Sequence, residues 1–197
     1  MGLLAVSCGS GSPVLVGYEV RPAPQVGSFT LTDAASDETF PLRAEPDQLL
    51  AVYLGFTNCP DACPTAMAEL RVALARLGDR ADSVDVAMIT VDPERDTSAA
   101  LTAYVRQFVP DGRPLRTDDI DELRTIASAF GGVFEAEHDH AGVVTDVGHT
   151  DQTYLVDDTG TVVLTWTAAM TTDDIANDLE ILLDTISTEG MVDDTRG

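Results

Sequence analysis

The sequence predicts an α/β domain with a mixed central sheet, helices on both sides of the sheet and a β-hairpin at its start. Two apolar runs, residues 49–56 and 84–91, are typical of strands buried on both faces of a sheet. Helical patterns follow these runs, and a second hairpin and a last helix end the chain. Strands and helices that alternate in this way favour a mixed sheet between layers of helix.

The first elements are a hairpin, a central strand and a helix. Residues 29–32 and 39–42 alternate apolar and polar side chains around the polar turn 33–38, which is the pattern of two antiparallel strands. The apolar strand 49–56 comes next. Apolar residues at helical spacing then predict a helix over 66–77.

The middle and the end of the chain continue this alternation. The remaining predicted elements are, in order, a strand at 84–91, a helix at 99–108 capped by Thr97 and Ser98, a helix at 118–130, strands at 153–156 and 162–166 around a turn at 157–160, and a helix at 174–187 capped by residues 171–173. Together they predict one domain at residues 26–187, between a flexible tether at 1–25 and a frayed tail at 188–197.

The chain is strongly acidic. Thirty-four acidic residues face eleven basic ones, which are all arginine, and the net charge of the 197 residues is −23. Nucleic acid and anionic membrane surfaces would repel such a chain, so we expect neither as a partner. The charge is typical of adaptation to salt or of a GC-rich genome, and cations or a partner with a basic face remain open.

The N-terminus resembles the end of a secretion signal. Residues 3–6 are apolar, and Cys8 precedes a flexible Gly/Ser segment, as in bacterial lipoproteins whose cysteine is lipidated. No basic segment comes before the apolar one, and Ala5 stands where Leu is commoner. We expect a lipidated Cys8 to tether the domain to the outer face of the cell membrane, since no later segment has the about 20 apolar residues that span a bilayer. The alternative is a disordered tail with an incidental cysteine.

Cys59 and Cys63 carry the strongest chemical signal in the chain. They lie between the strand 49–56 and the helix after it, four residues apart, a spacing that places two side chains on one face of a helical turn. A helix N-terminus also favours thiolate over thiol. Two thiolates held together at the end of a strand either bind a soft metal or cycle with a disulfide.

Three segments resemble the Sco/SenC family in content and in order. They are CPDACP at 59–64, TVDPERDT at 90–97 and HTDQTYLVD at 149–157. The resemblance covers residues 27–183. It implies a thioredoxin-like fold, copper binding and a role in assembling the dinuclear copper site of cytochrome c oxidase.

The resemblance also implies a ligand set of Cys59, Cys63 and His149. Soft thiolates prefer Cu(I), and an imidazole lets the site hold Cu(II) as well. The family usually has an acidic residue just before the histidine, where this chain has Gly148. A carboxylate there would orient the imidazole, and Asp146 is the candidate to replace it.

Four other residues are candidates for accessory roles. Asp61 and Asp92 stand at positions that shape the copper loop or guide the partner in the family, although Asp92 also suits a plain turn before a helix. His138 and His140 form an H-x-H pattern beside carboxylates, which suits Cu(II), Ni(II) or Zn(II). A polar surface loop is the alternative interpretation of this segment.

Two functions are compatible with these residues. The first is a copper metallochaperone that delivers copper to subunit II of cytochrome c oxidase. The second is a thiol–disulfide oxidoreductase that reduces the acceptor's cysteines through Cys59 and Cys63. His149 distinguishes the two, because metal binding needs it and thiol exchange does not. A thiol peroxidase is a weaker third interpretation, since the T-x-x-C spacing of a peroxidatic loop is missing.

Overall fold

The computed structural model describes residues 14–142 and 144–194. Cys8, the expected lipidation site, lies outside the described residues. In the described part the strands are β1 Thr30–Asp33, β2 Glu38–Pro41, β3 Leu49–Gly55, β4 Val84–Thr90, β5 Arg113–Arg116, β6 Phe134–His138, β7 Val144–His149, β8 Gln152–Val156 and β9 Val162–Thr167. The helices are α1 Ala62–Leu77, α2 Ser98–Phe108, α3 Ile120–Ala129 and α4 Thr172–Asp194, and a 3-10 turn covers Gly78–Ser83.

Seven of these strands form the central sheet, in the order β2-β1-β5-β4-β3-β8-β9. β3 pairs parallel with β4, β4 pairs parallel with β5, and the other pairs are antiparallel. Every residue of β3 is buried, as the all-apolar run predicted for a central strand. The predicted mixed sheet with flanking helices and an N-terminal hairpin is therefore confirmed.

Parallel pairing brings two strand ends together at one edge of the sheet. Gly55, the last residue of β3, stands opposite Thr90, the last residue of β4. The loops that follow these strands therefore start side by side. This edge carries the cysteines.

Some helix bounds differ from the sequence prediction. α1 begins at Ala62 instead of residue 66, because Pro64 fits the first helical turn, where no backbone N–H is needed for the helix ladder. α4 continues to Asp194, beyond the predicted end at residue 187. No proline interrupts that stretch, and its single glycine costs a helix only about 1 kcal/mol.

The segment before β1 packs on the domain from its first described residues. The carboxylate of Asp178, which is fully buried in α4, accepts hydrogen bonds from the backbone N–H groups of Val16 and Gly17, each at 2.8 Å. It also accepts one from the indole N–H of Trp166 at 3.0 Å. Tyr18 then bridges to β9. Part of the predicted tether is thus held against the sheet edge.

Three strands were not predicted from the sequence. β5 is short and begins and ends with arginine, which hides it from a search for apolar runs. β6 and β7 form a separate two-stranded antiparallel sheet that shares no ladder with the central one.

Within the described residues, no helix is both long and apolar enough to cross a bilayer.

Candidate metal centre

The loop from β3 into α1 positions the two cysteines. Cys63 lies in the first turn of α1 and is fully buried, whereas Cys59 lies in the loop before the helix and is half-buried. Neither is in a disulfide. The predicted arrangement on one helical face is wrong in detail, because Cys59 precedes the helix and the turn itself brings the thiols together.

The sulfur of Cys59 takes the place of a helix cap. It accepts a hydrogen bond from the backbone N–H of Cys63 at 3.3 Å. Asp61, at the N-cap position, makes no side-chain capping bond and is exposed. This contact places the Cys59 sulfur against the first turn of α1.

Cys63 lies in a closely packed environment. Burial raises the pKa of its thiol well above the ordinary value, and the hydrogen bond with Cys59 raises it further. Behind the sulfur lies Gly55, where an added Cβ would come within 3.1 Å of Cys63 Sγ and within 2.7 Å of the Tyr53 ring. A side chain at position 55 would therefore push into the site.

His149 reaches the cysteines from the separate hairpin. It is the last residue of β7, and its Nε2 lies 3.6 Å from Cys63 Sγ. Its Nδ1 lies 3.1 Å from the carbonyl oxygen of Thr150. Because a carbonyl only accepts, this contact is made by an N–H at Nδ1, and Nε2 is the ring nitrogen that faces the sulfur. This orientation leaves Nε2 as the atom that can bind a metal.

Two aromatic rings hold the imidazole in this orientation. Tyr53 and Phe56 both meet it edge to face, with ring centroids 5.9 Å and 5.7 Å away. The Tyr53 hydroxyl donates to the carboxylate of Asp151 at 2.8 Å, which ties down the chain just after the histidine. The backbone N–H of Thr150 donates to Val133, at the start of the hairpin. Nothing in the apolar pattern of residues 49–56 marks these two rings as more than core.

The three predicted ligands come together. The ligand atoms of Cys59, Cys63 and His149 all lie within 4.8 Å of one another. In the described part of the chain, this is the cluster of metal-ligating side chains that could hold an ion. Two thiolates and an imidazole suit a soft or borderline metal, and they fit copper in either oxidation state. A shallow groove of about 350 Å³ opens beside His149, between Val133 and Gly148.

The role of Asp146 as a replacement for the missing acidic neighbour of His149 stays a prediction. Side chains alternate along a strand, so Asp146 shares the face of β7 on which Gly148 stands. Asp146 accepts a hydrogen bond from the backbone N–H of Val147. A Cβ at Gly148 would meet nothing within 4 Å, so the position has room for a side chain.

The turn after β4 supports the cysteine loop. Asp96 is fully buried and accepts hydrogen bonds from the backbone N–H of Thr57, at 3.1 Å, and from the hydroxyl of Thr90, at 2.6 Å. It thereby ties the start of the cysteine loop to the end of β4. Asp92 is 2% exposed and pairs with Arg95, so it does not face a partner directly. From the sequence, Asp92 was a candidate to shape the copper loop or guide the partner, with a plain turn before the helix as the alternative.

His138 and His140 do not join the centre. His138 ends β6 opposite Val144, and both histidines are exposed at the turn of the hairpin. Within the described residues they belong to no cluster of metal-ligating side chains. The polar surface turn is the interpretation that the structure supports.

Comparison with known proteins identifies the family. A family model described as SCO1/SenC matches residues 19–184. The chain belongs to the SCO1/SenC family. A SCO2-like protein of Rickettsia conorii is 31% identical over 137 residues, which are 68% of this chain and 65% of that protein. The match thus spans less than two thirds of this relative's length.

Solved structures of the family share the fold. The apo Sco1 protein from Thermus thermophilus has a TM-score of 0.75 and 28% identity, with 87% of this chain and 98% of that chain covered. Bradyrhizobium japonicum ScoI, solved with copper bound, has a TM-score of 0.66 and 30% identity, with 77% and 95% covered. The thioredoxin-like α/β fold expected from the sequence is confirmed.

Proposed function

We propose that this chain is a copper metallochaperone that binds copper through Cys59, Cys63 and His149 and delivers it to the dinuclear copper site of cytochrome c oxidase subunit II. The observation that carries the proposal is the convergence of three ligand atoms within 4.8 Å, from a loop, a helix and a separate hairpin. Its family is one of copper-binding proteins in oxidase assembly, and a relative holds copper in its structure.

The surroundings of the three residues support transfer as well as binding. Cys59 is half-buried and lies in a loop, so an incoming thiolate of an acceptor can approach the site from that side. Val133 is 72% exposed beside the groove next to His149, which leaves an apolar contact for a docking protein. Cys63, in contrast, is fully buried in the first turn of α1.

We further propose that the protein is extracytoplasmic and tethered to the outer face of the membrane through Cys8. The support is the sequence pattern around that cysteine alone. A tether of this kind would confine the search for a membrane-bound acceptor to the membrane surface.

The second candidate function is reduction of the acceptor's disulfide. It is favoured by the two free cysteines, whose sulfur atoms lie within 4.8 Å of each other, with Cys59 half-buried and open to an acceptor. In this reaction two thiols of the chain become a disulfide while the acceptor's disulfide becomes two thiols. The position of His149 against Cys63 has no role in that exchange.

A transfer assay distinguishes the two functions. Copper-loaded protein would be mixed with the reduced, copper-free soluble domain of an aa3-type oxidase subunit II, and the dinuclear copper spectrum would be followed. With protein loaded with Cu(II), delivery predicts that the spectrum develops with wild type and not with His149→Ala, which does not hold Cu(II) tightly. Failure of wild type to transfer copper, with rapid reduction of an oxidised acceptor by both proteins, would favour the oxidoreductase.

A further inference from the structure

The side chain of Arg95 connects three parts of the metal centre. Its Nε pairs with the buried carboxylate of Asp92, in the same turn after β4. Its Nη1 donates to the backbone carbonyl of Val144 at 3.3 Å. Its guanidinium carbon lies 5.9 Å from the centroid of the Phe56 ring, at cation–π distance.

Two of these contacts lead directly to His149. Val144 is the first residue of β7, and His149 is the last. The Phe56 ring makes a T-shaped contact with the imidazole, with ring centroids 5.7 Å apart and an interplanar angle of 88°. Arg95 therefore contacts the beginning of the strand that carries the ligand and the ring that packs against the ligand itself.

The hairpin needs such contacts because of its place in the fold. β6 and β7 form a two-stranded sheet that is not hydrogen-bonded to the central sheet through a ladder. An isolated hairpin of two strands is at best marginally stable in water. Its position over the cysteines thus depends on side-chain contacts, and Arg95 supplies one from the main body of the domain.

We propose that Arg95 is a positioning residue for His149, which holds the β6–β7 hairpin over the cysteine pair and so sets the affinity of the site for Cu(II). The inference rests on the proposed copper site. Arginine is suited to the task because its planar fork can pair with a carboxylate, donate to a carbonyl and stack on a ring at once. Lysine has one charged atom and cannot make all three contacts.

The chain offers a matched control in Arg113. Its guanidinium lies 5.5 Å from the centroid of the Phe40 ring and 3.7 Å from the carboxylate of Asp33, which is buried. This arrangement repeats the ring and the carboxylate found around Arg95. Arg113 and Phe40 belong to β5 and β2, away from His149.

The test compares Arg95→Gln, Arg95→Lys and Arg113→Gln, each with and without His149→Ala. Cu(II) and Cu(I) affinities, the thiolate-to-Cu(II) absorption band and hydrogen exchange of the β6–β7 amides in the metal-free protein would be measured. We expect Arg95→Gln to weaken Cu(II) binding by about 10- to 100-fold, the usual range for groups that support metal ligands. Cu(I) binding should change little, and the hairpin amides should exchange faster.

In the His149→Ala background, Arg95→Gln should have no further effect on Cu(II), because the ligand that it positions is gone. Arg95→Lys keeps a positive charge next to Asp92, so it replaces Arg95→Gln in the test if that variant does not fold. It should still weaken Cu(II) binding. Equal effects of Arg95→Gln and Arg113→Gln, or an undiminished effect without His149, would overturn the proposal. Unchanged Cu(II) binding in His149→Ala alone would overturn the copper site and this inference together.

Discussion

Cys63 Sγ and His149 Nε2 lie 3.6 Å apart, although 86 residues separate them in the chain. The cysteine belongs to the first turn of α1, and the histidine belongs to a hairpin outside the central sheet. Only the folded domain brings the two atoms together, so metal binding at this site is coupled to folding. Groups that hold the loop or the hairpin therefore affect the metal without touching it.

The first prediction concerns the cysteines. Cys59→Ser or Cys63→Ser should each abolish tight Cu(I) binding, because one thiolate and an imidazole make a much poorer site for this soft ion. Affinity would be measured by competition with a Cu(I) chelator. Any variant that still competes like wild type would show that its cysteine is not a ligand.

The second prediction concerns pH. Burial raises the pKa of the Cys63 thiol, so this group is protonated in the metal-free protein at neutral pH and must lose its proton to bind Cu(I). The apparent affinity should then increase by about tenfold for each pH unit between about pH 6 and 8 from this thiol. The check is chelator competition at several pH values, together with proton release on loading. An affinity that stays constant over this range would contradict the assignment of Cys63.

The third prediction concerns Asp96, which ties Thr57 to Thr90. Asp96→Ala should destabilise the protein by about 2–4 kcal/mol, because it leaves buried donors without an acceptor. Urea unfolding of the metal-free protein measures this. Thr97→Ala, which removes the neighbouring cap of α2, is the control and should cost only about 1 kcal/mol. Equal losses in the two variants would show that Asp96 acts only as part of the turn.

The fourth prediction concerns Asp178. Asp178→Ala should release the segment that its carboxylate holds at Val16 and Gly17. Limited proteolysis should then cut within residues 14–25 faster than in wild type, while copper affinity stays the same because the metal centre is elsewhere. Trp166→Phe removes only one of the donors to Asp178 and should have a smaller effect. Unchanged cleavage in Asp178→Ala would show that the pairing of Tyr18 with β9 suffices.

The sequence predicted the parts of the fold that have a strong local pattern. β3 was recognisable because every position in it is apolar, and the two cysteines were recognisable because they follow it directly. β6 and β7 were not predicted, since one of their faces is polar and exposed and the strands are short. Which of their apolar side chains are buried depends on the surface against which the hairpin packs, and the local sequence does not show this surface.

The supporting residues of the site show the same limit. Tyr53 and Phe56 read as ordinary core residues of a strand and its end, and only the fold places both rings against His149. Asp178 is an acidic residue on a helix, which normally indicates a solvent-facing position. It is nevertheless fully buried, where its carboxylate accepts hydrogen bonds from Val16, Gly17 and Trp166. Such roles depend on tertiary contacts that no local spacing reveals.

The measurement that tests the central claim most directly is copper binding by the reduced protein, with His149→Ala beside wild type. Stoichiometry would be determined after removal of loosely bound metal, and Cu(II) would be followed through its thiolate charge-transfer absorption. A site made of Cys59, Cys63 and His149 predicts one tightly held copper in wild type, and loss of the Cu(II) band with retention of Cu(I) in the variant. Wild type that retains no copper, or a variant with an unchanged Cu(II) band, would contradict it.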